Sequence, residues 1–197
     1  SQLTPTIAAD GTGGAIVTWD DNRSGNYDIY AQSVNASGAV QWTSDGAALC
    51  AATGNQHSPA IVTDGLGGAI VTWTDLRGET FDIYAQRVNA FGAVHWTADG
   101  VALCTATEDQ NSPMIAADGS GGAIVTWKDL RDGIGDIYAE LIDALGRAGV
   151  HEPAIAAVED IPGDQGGWTR IRIARSLLDD AVETGYPVIS YNVWKRI

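Results

Sequence analysis

Residues 58–104 read SPAIVTDGLGGAIVTWTDLRGETFDIYAQRVNAFGAVHWTADGVALC, and the chain on either side copies them. The landmarks are Pro59, Asp64-Gly65, Gly67-Gly68, an apolar run ending at Trp73, then Asp75, Arg77 and Asp82-Ile83-Tyr84. A shift of 54 positions towards the N-terminus finds Pro5, Asp10-Gly11, Gly13-Gly14, Trp19, Asp21, Arg23 and Asp28-Ile29-Tyr30. The opposite shift finds Pro113, Asp118-Gly119, Gly121-Gly122, Trp127, Asp129, Arg131 and Asp136-Ile137-Tyr138. Trp42, Asp45-Gly46 and Cys50 match Trp96, Asp99-Gly100 and Cys104, and the third copy stops short of these. A fixed period of this size marks a repeat architecture, in which each unit buries its faces against its neighbours.

Within a repeat the pattern is that of short strands and turns. Ala69 to Trp73 is β-branched and aromatic with no helical period. Phe81 to Val88 alternates as a half-buried strand does, and Asp64-Gly65, Asp75 to Thr80 and Asn89 to Gly92 are turn chemistry. Pro59 to Thr63 and Val101 to Cys104 complete about four strands per repeat. The expected fold is therefore all-β.

This order of motifs resembles the WD40-like repeats of Tol-type periplasmic β-propellers. The likeness rests on Pro-x-Ile, Asp-Gly, Ala-Ile-Val-Thr-Trp, Asp-x-Arg and Asp-Ile-Tyr over residues 1–146. It implies propeller-type blades at about 1–57, 58–111 and 112–150, in an extracytoplasmic protein that is secreted, periplasmic or at the cell surface. The insert carrying Trp42 or Trp96 and the cysteine departs from the family pattern. From Glu152 the composition changes. Pro153 to Val158, Trp168 to Ile173 and Val188 to Arg196 resemble the first three strands of a fibronectin type III domain, so 151–197 reads as an incomplete β-sandwich. Pro162 to Gly167 reads as a loop, and Leu177 to Gly185 as an acidic loop or a single helical turn.

Composition narrows the function classes. Of 197 residues, 45% are apolar and 18% charged, with a formal charge of −14. This is a globular chain whose charge opposes nucleic acid and anionic membrane surfaces as partners. No apolar run reaches the 18 residues that a spanning helix requires. Cys50 and Cys104 occupy one repeat position, which reads as a small buried hydrophobe, a bridge between neighbouring units being the alternative.

The chemically suggestive residues are the acids and arginines of the turns. Asp21, Arg23 and Asp28, then Asp75, Arg77 and Asp82, then Asp129, Arg131 and Asp136 bracket a hairpin turn in each repeat. A guanidinium fork there can bind both carboxylates. A catalytic pair occurs once, whereas this set recurs, so it reads as a structural turn and not as a paired-acid hydrolase site. No metal or other cofactor is expected, calcium at the repeat loops being the weaker alternative. Asp10, Asp64 and Asp118 each offer one carboxylate and read as tight glycine turns. His57, His95 and His151 lack a second ligand at zinc spacing. Trp42 and Trp96, on the insert, read first as core packing, with contact with a glycan or protein partner as the alternative. Asn22 and Asn35 each head a glycosylation sequon.

The functional expectation is a non-enzymatic structural or interaction module. Its partner is protein, either further copies of itself in an oligomer or filament, or missing blades of a longer chain. A carbohydrate- or protein-binding propeller module of a larger secreted protein or hydrolase is the alternative.

Overall fold

The computed structural model describes residues 1–149, 155–160, 168–174 and 190–196. They form only strands, turns and loops, and every strand pairing is antiparallel. Two compact units divide the chain, Ser1–Ala148 and Gly149–Ile197.

The first unit holds three sheets, one per sequence repeat. β1 (Gln2–Ala9), β2 (Ala15–Asp21), β3 (Asp28–Val34) and β4 (Ala47–Cys50) pair in chain order. β5 (Gln56–Thr63), β6 (Ala69–Asp75), β7 (Asp82–Val88) and β8 (Val101–Cys104) repeat that meander. β9 (Gln110–Ala117), β10 (Ala123–Asp129) and β11 (Asp136–Ile142) form a three-stranded version. The register is the same in each: Trp19 faces Tyr30, Trp73 faces Tyr84, and Trp127 faces Tyr138 across the central pair.

The first strand of each repeat is longer than the Pro59–Thr63 stretch suggests, starting three residues earlier at Gln56. The proline sits inside it, at a break in register between His57 and Ala60 that is matched between Leu3 and Thr6. Proline cannot donate to the ladder, and a bulge is where a strand tolerates it. The residue before it takes a left-handed conformation in all three copies, with φ of 44° at Thr4, 54° at Ser58 and 55° at Ser112.

Glycines tighten the turns between strands. Asp64 Oδ1 accepts the N–H groups of Leu66 at 2.8 Å and Gly68 at 2.9 Å, closing an Asx-type turn. A Cβ on Gly68 would lie 2.2 Å from the Val88 carbonyl oxygen, so only glycine lets β6 leave this turn beside the end of β7.

The core lies between the sheets, because each central strand is apolar on both faces. Ala69, Val71, Trp73 and Val88 pack on Ile16, Ile29, Ala31, Leu49 and Cys50 of the first repeat. Ile70, Ile83, Ala85, Trp96 and Leu103 pack on Ala123, Val125, Trp127 and Ile142 of the third. Each repeat thus has a front face towards its predecessor and a back face towards its successor. A fully buried side chain of this kind contributes about 1.5–3 kcal/mol.

The second unit contains β12 (Ile155–Asp160), β13 (Trp168–Ala174) and β14 (Ser190–Arg196), a sheet with β13 in the centre. Ile171 is opposite Val158 on one side and Val193 on the other. Its first strand lies two residues later than the sequence pattern placed it. The loop expected at 162–167 and the acidic segment 177–185 lie outside the described residues, as does His151.

Candidate functional site

In each repeat the last strand-two residue is an aspartate whose carboxylate gathers the turn around it. Asp75 is fully buried. It accepts from the Trp73 indole at 2.8 Å, from the Arg77 backbone N–H at 2.9 Å, and from Arg77 Nε and Nη2 at 2.9 and 2.6 Å. The guanidinium lies 3.8 Å from the centre of the Tyr84 ring, held between carboxylate and aromatic face. Asp129 has the same partners, Trp127 at 3.1 Å and Arg131 Nε at 2.9 Å, with Tyr138 under the guanidinium. Asp21 is bound by Trp19, Arg23 and Gln2.

The fork therefore grips one carboxylate twice and does not span two. Asp82 is opposite Asp75 across the hairpin, but the ion pair of Arg77 is with Asp75. The geometric reason is register: Arg77 folds back onto the strand that it follows, and Asp82 opens the next one. Asp28 is held instead by Ser24 at 2.6 Å and Asn26 at 2.9 Å. Asp136, which no described fourth strand covers, is exposed.

Electrostatics follow the contacts. The hydrogen bond from Arg23 holds the Asp21 carboxyl well below the ordinary carboxylate range, and Arg131 does the same for Asp129. Burial pushes Asp82 the other way, helped by the like charge of Asp75. At Asp64 burial acts upward, but the Leu66 N–H, the Arg87 fork at 2.8 and 3.0 Å and the Gly68 N–H outweigh it, and the carboxyl ends below the ordinary range.

The cysteines belong to this cluster, which the sequence did not reveal. Arg77 Nη2 approaches Cys50 Sγ at 3.5 Å, and Arg131 Nη2 approaches Cys104 Sγ at 3.3 Å. Each thiol thus comes from one repeat and each guanidinium from the next. Both cysteines are free, so the bridge between neighbouring units is not formed. Burial raises the Cys50 thiol to about 12, and raises Cys104 as well.

Trp42 and Trp96 also reach across to the next repeat. Trp42 Nε1 donates to the Ala90 carbonyl at 3.0 Å, and Trp96 Nε1 to the Ala144 carbonyl at 3.2 Å. Added Cβ atoms on Gly92 and Gly146 would lie 2.9 and 2.7 Å from those rings, so each indole lies against a glycine turn. Trp96 is 9% exposed and Trp42 half-buried. Gln32 and Gln86 hold the insert loop from below. Each accepts from the backbone N–H of the tryptophan and donates to a threonine carbonyl at 2.6 or 2.8 Å.

One cluster does not repeat. Asp20, 1% exposed, faces His57 Nδ1 at 3.3 Å across the first joint and also accepts from Thr4. Tyr27 lies 4.9 Å from the imidazole. The three proline bulges, Thr4–Thr6, Ser58–Ala60 and Ser112–Met114, line a shallow groove of about 490 Å³. Among the described residues no group of three or more His, Cys, Asp or Glu could hold a metal ion. No described helix is long and apolar enough to cross a membrane.

No protein-family model matches the chain, and no curated protein matches it. Among solved structures it is similar to a glycosyl hydrolase from Bacteroides ovatus, with 12% identity and a TM-score of 0.44. The match covers 87% of this chain and 60% of that one, so the chain spans less than two thirds of the hydrolase's length.

Proposed function

We propose that the chain is a non-enzymatic, extracytoplasmic repeat protein whose work is to bind protein, either further copies of itself or additional repeats of its own kind. Its three repeats are propeller-type blades, and residues 151–197 are part of a fibronectin III-like sandwich. The observation that carries this reading is the use made of the recurring acids, arginines and tryptophans. Each described set is tied into a turn or a joint between repeats, with Asp75, Arg77, Tyr84 and Cys50 as the fullest example. A cluster present in every repeat stabilises every repeat, and reacting groups have no need of three copies. The extracytoplasmic setting is supported by the resemblance of the repeat motifs and by a charge of −14 that keeps such a surface soluble.

Native mass by light scattering, followed by negative-stain imaging of the same sample, tests the reading. Assemblies larger than one chain are expected. A monomer at all concentrations, unfolding in one cooperative step, would remove self-association and leave additional repeats as the partner.

A further inference from the structure

Equivalent residues of the three repeats have different exposures, and the difference follows whether a neighbouring sheet, and for β11 a fourth strand, is described beside them. Front-face positions Ala69, Val71, Trp73 and Val88 are 0% exposed, as are Ala123, Val125 and Ile142, with Trp127 at 4%. Their equivalents in the first repeat, Ala15, Val17, Trp19 and Val34, are all half-buried. Ile7, which corresponds to the packed Ile61 and Ile115, is 65% exposed. On the back face, Ile16 and Ile29 are 1% and 0% exposed and Ile70 and Ile83 are 0%. Their third-repeat equivalents, Ile124 and Ile137, stand at 40% and 76%. The described residues thus present one unfilled front and one unfilled back, the two halves of a joint that the chain already builds twice. The front includes a hollow of about 290 Å³ between Gln2, Leu3, Pro5, Val17 and Trp19.

Building on the self-association reading, we propose that two copies of this chain join head to tail. The front of each first repeat seats on the back of the other copy's third repeat. Each copy contributes one front and one back, so a two-fold pair satisfies both joints at once. The first internal joint supplies the register. Asp20 meets His57, and Thr6 Oγ1 donates to the Pro59 carbonyl at 3.2 Å. Advanced to the joint between copies, these pairs become Lys128 with Leu3 and Met114 with Pro5. Lys128, Leu3 and Met114 are all exposed. The third sheet has no described fourth strand to supply the counterparts of Leu49 and Cys50, so this joint is smaller than the internal ones and reversible.

The test exploits Leu3 against Lys128 in the full-length chain, by sedimentation equilibrium. Leu3→Glu is expected to tighten the dimer about threefold and Leu3→Lys to loosen it about as much, the size of an exposed charge pair. Adding Lys128→Glu to Leu3→Lys should restore the original affinity. Ile137→Asp should leave single chains, whereas Phe91→Asp, on an exposed loop outside both faces, should leave the dimer unchanged. If Leu3→Glu weakens a dimer that persists, and the double variant restores nothing, the copies meet by other faces. The head-to-tail pairing is then wrong while the self-association reading stands. Filaments in place of pairs would overturn the two-fold closure. Single chains throughout would overturn both readings.

Discussion

Arg77 donates to the sulfur of Cys50 at 3.5 Å while its other contacts are all within its own repeat. The pair joins two sheets by a thiol and a guanidinium that are 27 positions apart. Removing the arginine leaves the fully buried Asp75 side chain short of its main partner. Arg77→Ala is therefore expected to cost about 3 kcal/mol, as a broken buried pair does. Arg23→Ala should cost nearer about 1 kcal/mol, because the Arg23 side chain is 34% exposed and has no sulfur to meet. Urea titration of the two variants measures the contrast; equal losses would mean that the joint adds nothing to the turn.

Gly65 and Gly68 lie in one turn but carry different constraints. Gly65 has φ of 75° with open space around it, so Gly65→Ala should cost about 1–2 kcal/mol, the penalty for a left-handed residue. At Gly68 the new methyl meets the Val88 carbonyl at 2.2 Å, and backbone must move. Gly68→Ala is expected to lose at least about 3 kcal/mol. Thermal melts of both variants rank the two constraints.

The carboxylates respond to pH in opposite senses. Asp21 and Asp129 are depressed in the fold, so the stability they contribute is present above the unfolded carboxylate value near about 4 and is lost as pH falls through their folded values. Asp82 is raised, so its contribution is present below that unfolded value and is lost as pH rises through its folded value. Asp82→Asn should thus stabilise the protein by a fraction of a kcal/mol (about 0.5) at neutral pH, and the gain should vanish in acid. Paired melts of wild type and variant across pH 3–8 (roughly the range over which carboxylates titrate) measure this; a gain that persists in acid would exclude charge as its cause.

Burial decides the thiol chemistry. With its thiol raised to about 12, Cys50 has almost no thiolate at neutral pH. Cys50 should resist a thiol-reactive dye in the native protein and react at once in denaturant. Cys104, only partly buried, should react slowly in the fold. Fast native labelling of Cys50 would show that the first joint opens readily.

Strand order and turn chemistry were legible in the sequence because they are local. Asp64 with its glycines, and the alternation from Phe81 to Val88, carry their geometry in neighbouring residues. The contacts between repeats were not legible. Arg77 advertises a carboxylate partner two residues away, but nothing in its surroundings points to Cys50. The fork was expected to hold Asp82 as well as Asp75, since spacing alone does not show which way an arginine folds after a turn. Ile70 and Ile124 are the same residue in the same motif, and only the presence of a following sheet makes one core and the other surface. Core packing of Trp42 and Trp96 was legible, but the glycine turns that receive them were not, because those turns belong to the next repeat.

The sameness of the two internal joints has a genetic consequence. Excising residues 58–111 would bring the back of the first repeat against the front of the third, setting Cys50 by Arg131, Trp42 over Gly146, and Ile16 on Val125. Each of these partners already meets an equivalent one in the intact chain. A coding sequence with such interchangeable blocks can lose or gain one by slippage between copies and still encode a chain that folds, so its length can drift in steps of 54 residues.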